Sequence, residues 1–299
     1  MPLSSAPLLR LGLALNLVFS LSCGVAALLA GAQIADAMGA LPAWLVSAIG
    51  GGLILFAAGI GWTLWRLRIG QALAISGLDL LWVIGTVPLT LVPGLFSATG
   101  VTIALLVAAA VGTLALVQLA GIRALLRHGA PAGQLRHCIR VRSAVAPKPL
   151  WRIVRDLGGI AQYSASLQAS RLEGEGAPAP GHVRVCTNLR GQSWAEEVVA
   201  LDDSARSVAF RFRAEAADFP FPLAALSGGW QVLPGSDGGS LVDVWWTVTP
   251  KQRRFGWLLL AAMTIPMDRD VPAMVGAMEA AAQDQPLPRK AVRPTLGYC

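Results

Sequence analysis

The sequence predicts an all-α membrane bundle of four transmembrane helices, followed by an α+β helix-grip domain whose curved antiparallel sheet wraps a long C-terminal helix. Three observations carry this. Residues 1–128 hold seven charged side chains, and residues 129–299 hold the other 34. The first half contains the charge-free runs 11–35, 37–65 and 80–122, and a helix needs about 20 apolar residues to cross a bilayer. The second half alternates like strands before ending in a helical stretch. The expected organisation is a membrane domain over 1–128, a linker over 129–134, a folded domain over 135–284 and a flexible tail over 285–299.

The spans are placed at about 11–30, 43–65, 72–92 and 101–126, with Pro93-Gly94 breaking the third run. Arg66 and Arg68 join spans two and three, while Arg123, Arg127, Arg136, Arg140 and Arg142 lie at or after the end of span four. The other two links carry no Lys or Arg. Positive residues stay on the cytoplasmic side, so the chain is expected to be a multi-pass protein of the cell (inner) membrane, with both termini and the folded domain cytoplasmic. A rival reading treats the first segment as a cleaved signal peptide ending at Ala30-Gly31-Ala32, or as a lipoprotein signal at Cys23. The arginines at 66, 68 and beyond 123 oppose it.

Gly50-Gly51-Gly52, Gly59 and Gly61 in span two are expected to admit close helix approach. Asp79 lies well inside span three, and an intramembrane carboxylate is a functional candidate by default. The alternative is structural: a carboxyl held by Asn16 or Gln118 that ties the bundle together.

The formal net charge of +7 divides into +3 before residue 129 and +4 after it. Neither half has a dense basic run interleaved with aromatics, which argues against nucleic acid as a partner. The 21 Arg and 3 Lys, in a chain rich in Ala and Gly, suggest a GC-rich bacterial gene. Cys23, Cys138, Cys186 and Cys299 match no metal-ligand spacing and suggest no disulfide framework, and His128, His137 and His182 are equally scattered. No metal and no cofactor is expected.

After the joint 129–134, residues 135–145 alternate as a strand. Pro147 and Pro149 open an amphipathic helix with Leu150, Trp151, Val154 and Leu157 on its apolar face. Gly158-Gly159 breaks it before a short second helix. Strands follow at 167–173, 182–189, 194–201, 207–215, 226–233 and 241–249, separated by turn residues. A helical stretch from about 255 to 283 closes the domain, with Pro266 and Pro272 expected to interrupt it. One strand, two helices, six strands and a long helix give a sheet curled around the last helix, with a cavity between them.

The run Val145-Ala-Pro-Lys-Pro-Leu-Trp-Arg-Ile-Val-Arg-Asp156 resembles the first-helix signature of the START-like (SRPBCC, polyketide cyclase/dehydrase and lipid transport) superfamily. Gly181-His-Val-Arg-Val-Cys186, Gly191-Gln-Ser-Trp-Ala-Glu196 and Leu201-Asp-Asp203 resemble it too. The likeness covers about residues 135–284. It implies a cavity for lipids, hormones, polyketides or quinone-like molecules, and some members of the superfamily are enzymes.

The resemblance also implies inward-facing Arg184, Cys186, Asn188, Trp194, Glu196, Val198, Phe210 and Phe212. Trp230 and either Trp245 or Trp246 extend the wall. Met263, Met267, Met274 and Met278 fall near one face of the last helix, and Met adapts to irregular apolar ligands. Stripes of this kind also occur as plain core. Arg184 and Glu196, if both face inward, need each other or a ligand. Cys186 is either a small buried hydrophobe or a thiolate helped by Arg184.

No nucleophile–base arrangement or phosphate loop is visible. The expected function is binding of a membrane lipid or other apolar small molecule by a domain tethered to the bilayer. The alternatives are a cyclase-like enzyme and a regulatory or structural membrane protein, and the oligomeric state stays open. The uncharged stretch 255–267, beside Lys251, Arg253 and Arg254, is either a membrane-surface lip or the start of the core helix.

Overall fold

The computed structural model describes residues 6–39, 41–288 and 296–299. The chain divides into two compact units, Ser5–Leu125 and a second built from Leu126–Cys299.

The first unit contains α1 (Pro7–Leu29), α2 (Gly31–Met38), α3 (Ala43–Trp65), α4 (Ile69–Leu89) and α5, which starts at Ala98 and runs to Arg127. Four of these, α1, α3, α4 and α5, are long and apolar enough to cross a bilayer. The short α2 lies in a link expected to be a loop. Its Gly39 pairs with Phe96 in an isolated bridge, so the α2–α3 and α4–α5 links meet. Trp44 and Trp65 sit exposed near opposite ends of α3. Their spacing of 21 residues corresponds to a rise of about 31 Å, close to the hydrocarbon thickness of a bilayer. The guanidinium of Arg66 lies over both Trp62 and Trp65, 5.1 and 4.7 Å from the ring centroids, as expected of an interfacial anchor.

The glycines of span two divide, contrary to expectation. Only Gly50 makes a close approach: a Cβ there would fall 2.9 Å from both Gly24 O and Ala27 Cβ on α1. At Gly51, Gly52, Gly59 and Gly61 a Cβ would meet nothing within 4 Å. The α4 helix ends at Leu89, before Pro93, and Gly94 takes a φ of +76° in the turn that follows.

The second unit begins with β1 (Leu135–Ser143), α6 (Pro147–Arg155) and a 3₁₀ turn (Leu157–Gln162). Next come β2 (Leu167–Glu173), β3 (Val183–Asn188), β4 (Ser193–Asp202), β5 (Ser207–Phe212), β6 (Leu223–Pro234) and β7 (Ser240–Pro250). The chain then forms α7 (Gly256–Ala282) and β8 (Leu296–Tyr298). The strands make one antiparallel sheet in the order β2-β3-β4-β5-β6-β7-β1-β8. It is curved, and α7 packs against β1, β7 and α6. Pro266 and Pro272 do not interrupt α7, which runs through both. Stretch 255–267 is the start of this helix, with Gly256, Leu260, Ala261 and Thr264 buried.

Two pieces of the family-like sequence pattern touch each other. Trp151 Nε1 and Arg155 Nε on α6 donate to Asp203 Oδ1 at 2.9 and 2.6 Å, pinning the first helix to the β4–β5 turn. The Arg155 guanidinium, then the Trp151 indole, hold the Asp203 carboxyl below its ordinary range.

The end of the chain corrects two expectations. Residues 289–295 of the expected flexible tail lie outside the described residues, but 296–298 form β8 beside β1. Cys299 is joined to Cys138 by a disulfide, 161 residues apart in sequence. Spacing alone gave no sign of this, because β8 and β1 become neighbours only through the sheet. Next to it, Tyr298 OH donates to Asp268 Oδ2 at 2.5 Å, and His137 Nε2 lies 2.9 Å from Asp268 Oδ1. All three side chains are buried.

Candidate ligand cavity

Strand alternation sets the site. Arg184 and Cys186 on β3 share a face, as do Trp194, Glu196 and Val198 on β4 and Phe210 and Phe212 on β5. The register places Arg184 opposite Glu196, Cys186 opposite Trp194 and Glu196 opposite Phe212. Two adjacent glycines on β6 make room for the aromatic wall. A Cβ at Gly228 would lie 2.8 Å from Trp245 O and 3.2 Å from Trp246 Cδ1, and one at Gly229 would strike the Trp245 ring.

Between this face and α7 lies a cavity of about 320 Å³, at the lower end of the range of small-molecule sites. Arg184, Cys186, Asn188, Trp194, Glu196, Phe210, Phe212, Trp230 and Met274 line it, and both Trp245 and Trp246 contribute. Met263 and Met267 do so as well, while Met278 is buried outside the lining. Val198 is also buried outside it.

Several wall groups are not among those expected from the sequence, and three of them shape the walls of the cavity. Phe221, in the β5–β6 loop, stands edge-on to Trp194 with centroids 5.6 Å apart. Leu226 and Asp270 complete parts of the β6 and α7 walls. The Phe219-Pro-Phe-Pro222 run was the available signal for the loop. Asn188 faces the rim, but its amide serves the β3–β4 turn: Nδ2 donates to Gln192 Oε1, and Oδ1 accepts from the backbone N–H groups of Arg190 and Gln192.

The polar centre of the cavity is small and nearly self-contained. Arg184 and Glu196 are 5% and 4% exposed. Arg184 Nε donates to Glu196 Oε2 at 2.8 Å, and Nη2 donates to the same oxygen. Trp194 Nε1 donates to Glu196 Oε1 at 2.6 Å, so both carboxylate oxygens are engaged. The guanidinium lies over Phe210, 4.1 Å from the ring centroid, a cation–π contact strengthened by desolvation. Nη1 makes no hydrogen bond among the described residues.

Burial, then the Glu196 charge, pushes the Cys186 thiol up to about 12, with Arg184 opposing. The side chain is therefore a thiol at neutral pH and a poor nucleophile. His137 and Asp268 form a close pair, but neither reaches the cavity lining.

This arrangement, a curved sheet around a long helix with a cavity between, agrees with the match of residues 139–283 to the polyketide cyclase / dehydrase and lipid transport family. This C-terminal part of the chain is similar to that family. Among solved structures, this part is similar to Ara h 8.0201, at 17% identity over 51% of this chain and 99% of that one, with a TM-score of 0.40. It is also similar to XoxI from Bacillus cereus, at 20% identity over 50% of this chain and 96% of that one, with a TM-score of 0.39. No curated protein matches the chain.

Proposed function

We propose that the protein is a membrane-tethered binding protein whose C-terminal domain holds an apolar small molecule or lipid carrying one oxygen acceptor. The observation that carries this reading is the composition of the cavity. Its wall is aromatic and Met-rich around the Arg184–Glu196 ion pair, and one guanidinium nitrogen, Arg184 Nη1, makes no hydrogen bond among the described residues. Glu196 neutralises the arginine, which favours a neutral carbonyl or hydroxyl over a second carboxylate. The buried thiol of Cys186 counts against a covalent enzyme.

The length of the joint supports tethering. The residues between α5 and β1, 128–134, extend at most about 25 Å, so the domain stays near the bilayer and meets membrane-dissolved molecules at raised effective concentration. The arginines after α3 and within the last turns of α5 support a cell-membrane protein with both termini cytoplasmic.

The test is mass spectrometry of solvent extracts from the purified full chain, with Met274→Trp as a variant that fills the cavity. The expected result is an apolar molecule retained by the wild type and depleted in the variant. Equal recovery from both, or none from the wild type, would sink the reading.

A further inference from the structure

The apolar bundle holds a second cavity, which stands independently of the reading above. Its volume is about 620 Å³, well inside the range of small-molecule sites. Phe19, Leu53, Phe56 and Trp82 supply much of its wall. Two lining glycines widen it: a Cβ at Gly52 or Gly85 would meet nothing within 4 Å. By contrast, Gly24 and Gly50 sit where helices touch. Some glycines of the bundle therefore permit helix contact, and these two leave room.

Asp79, midway along α4 and 3% exposed, is the only carboxyl in this wall. Its Oδ2 accepts from Asn16 Nδ2 at 2.7 Å and from Gln118 Nε2 at 3.2 Å. Each amide is fixed in turn, since Ser20 Oγ donates to Asn16 Oδ1 at 3.0 Å and Ser76 Oγ to Gln118 Oε1 at 2.9 Å. Two amides, each fixed by a serine, thus converge on one carboxyl oxygen. The other, Oδ1, makes no hydrogen bond among the described residues. An unpaired polar atom at membrane depth is costly, because lipid offers it nothing. A tie that merely held the helices together would engage both oxygens. Here one is spent on structure, and the residue lines open space.

We propose that this cavity binds an amphiphile with a long apolar body and a single hydroxyl, which hydrogen-bonds to Asp79 Oδ1. The apolar wall selects the body. A hydroxyl both donates and accepts, so it can pair with Oδ1 whether or not that oxygen carries a proton. A bare hydrocarbon leaves Oδ1 unpaired, and an ammonium group brings a charge into a cavity with no polar shell for it.

Trp82 in the wall is the reporter, its signal being the fluorescence lost in Trp82→Phe. The full chain in phosphatidylcholine nanodiscs is titrated with bromine-terminated dodecanol, with bromododecane and bromododecylamine as matched probes. The alcohol is expected to quench Trp82 saturably, and Asp79→Ala to raise half-saturation about tenfold or more, the value of one hydrogen bond to a carboxyl. Gly85→Leu, which projects a side chain into open space, is expected to abolish the saturable phase and leave the fold intact, so the test survives if Asp79→Ala misfolds. Non-saturating quenching that is equal in wild type and Gly85→Leu overturns the site. Equal binding of bromododecane overturns the role of Asp79, and tighter binding of the amine overturns the ligand class.

Discussion

Replacing Glu196 by alanine should be the most damaging single change in the C-terminal cavity. The substitution strands the Arg184 guanidinium, 5% exposed, whose hydrogen bonds among the described residues go to Glu196 Oε2. It also strands the Trp194 indole N–H, which gives its only hydrogen bond to Glu196 Oε1. Removing one partner of a buried pair costs about 3–5 kcal/mol, because the survivor stays desolvated and unpaired. Against a total stability of about 5–15 kcal/mol for a domain, that is a large fraction. Glu196→Gln keeps an oxygen for one donor and should cost less, about 1–3 kcal/mol. Arg184→Leu combined with Glu196→Leu removes both charges and should recover most of the loss, since an ion pair replaced by apolar groups is often neutral. The measurement is urea unfolding of a fragment spanning residues 130–299, followed by near-ultraviolet circular dichroism. A loss under about 1 kcal/mol for Glu196→Ala, or a double variant no better than the single, would refute the claim that the two charges depend on each other.

Two further outcomes are expected. The Cys186 thiol should resist iodoacetamide at pH 8 in the folded protein and react on unfolding. Its proton is held to about 12 against an ordinary 9.0, so above about pH 9 the unfolded chain releases a proton that the native state keeps. Stability should then fall as pH rises through that window, and Cys186→Ala should flatten the alkaline limb; rapid native labelling would contradict both. Reducing Cys138–Cys299, which closes a separation of 161 residues, should cost about 2–4 kcal/mol. Thiol trapping in intact cells then reads the orientation, because the cytoplasm keeps thiols reduced. Two trapped thiols at 138 and 299 support the cytoplasmic placement, and a persistent disulfide places the domain outside.

What could be read from the residues follows a physical division. The spans were legible because a bilayer demands composition, and α3 begins and ends where the apolar run does. The partners of Asp79 were legible by elimination, since Asn16 and Gln118 are among the few polar side chains in apolar helices and have little else to bond. Which residues share a strand face was legible from alternation, and the family resemblance implied that Arg184, Glu196 and Phe210 look inward; all three line one space. Alternation names a face but not its neighbour across the fold. His137 meets Asp268 across 131 residues, and Cys138 meets Cys299 across 161; only the pairing of β8 with β1 brings the latter two together. The prolines of α7 misled for a related reason. Proline costs a helix one hydrogen bond locally, whereas burial of Val271, Met274, Val275 and Met278 along the same helix acts over its whole length. At about 1.5–3 kcal/mol per buried large apolar side chain, that burial outweighs two local losses of about 3 kcal/mol each. A local rule therefore fails where a long element is held by the sheet around it, and that enclosure is the same feature that leaves the cavity for a ligand.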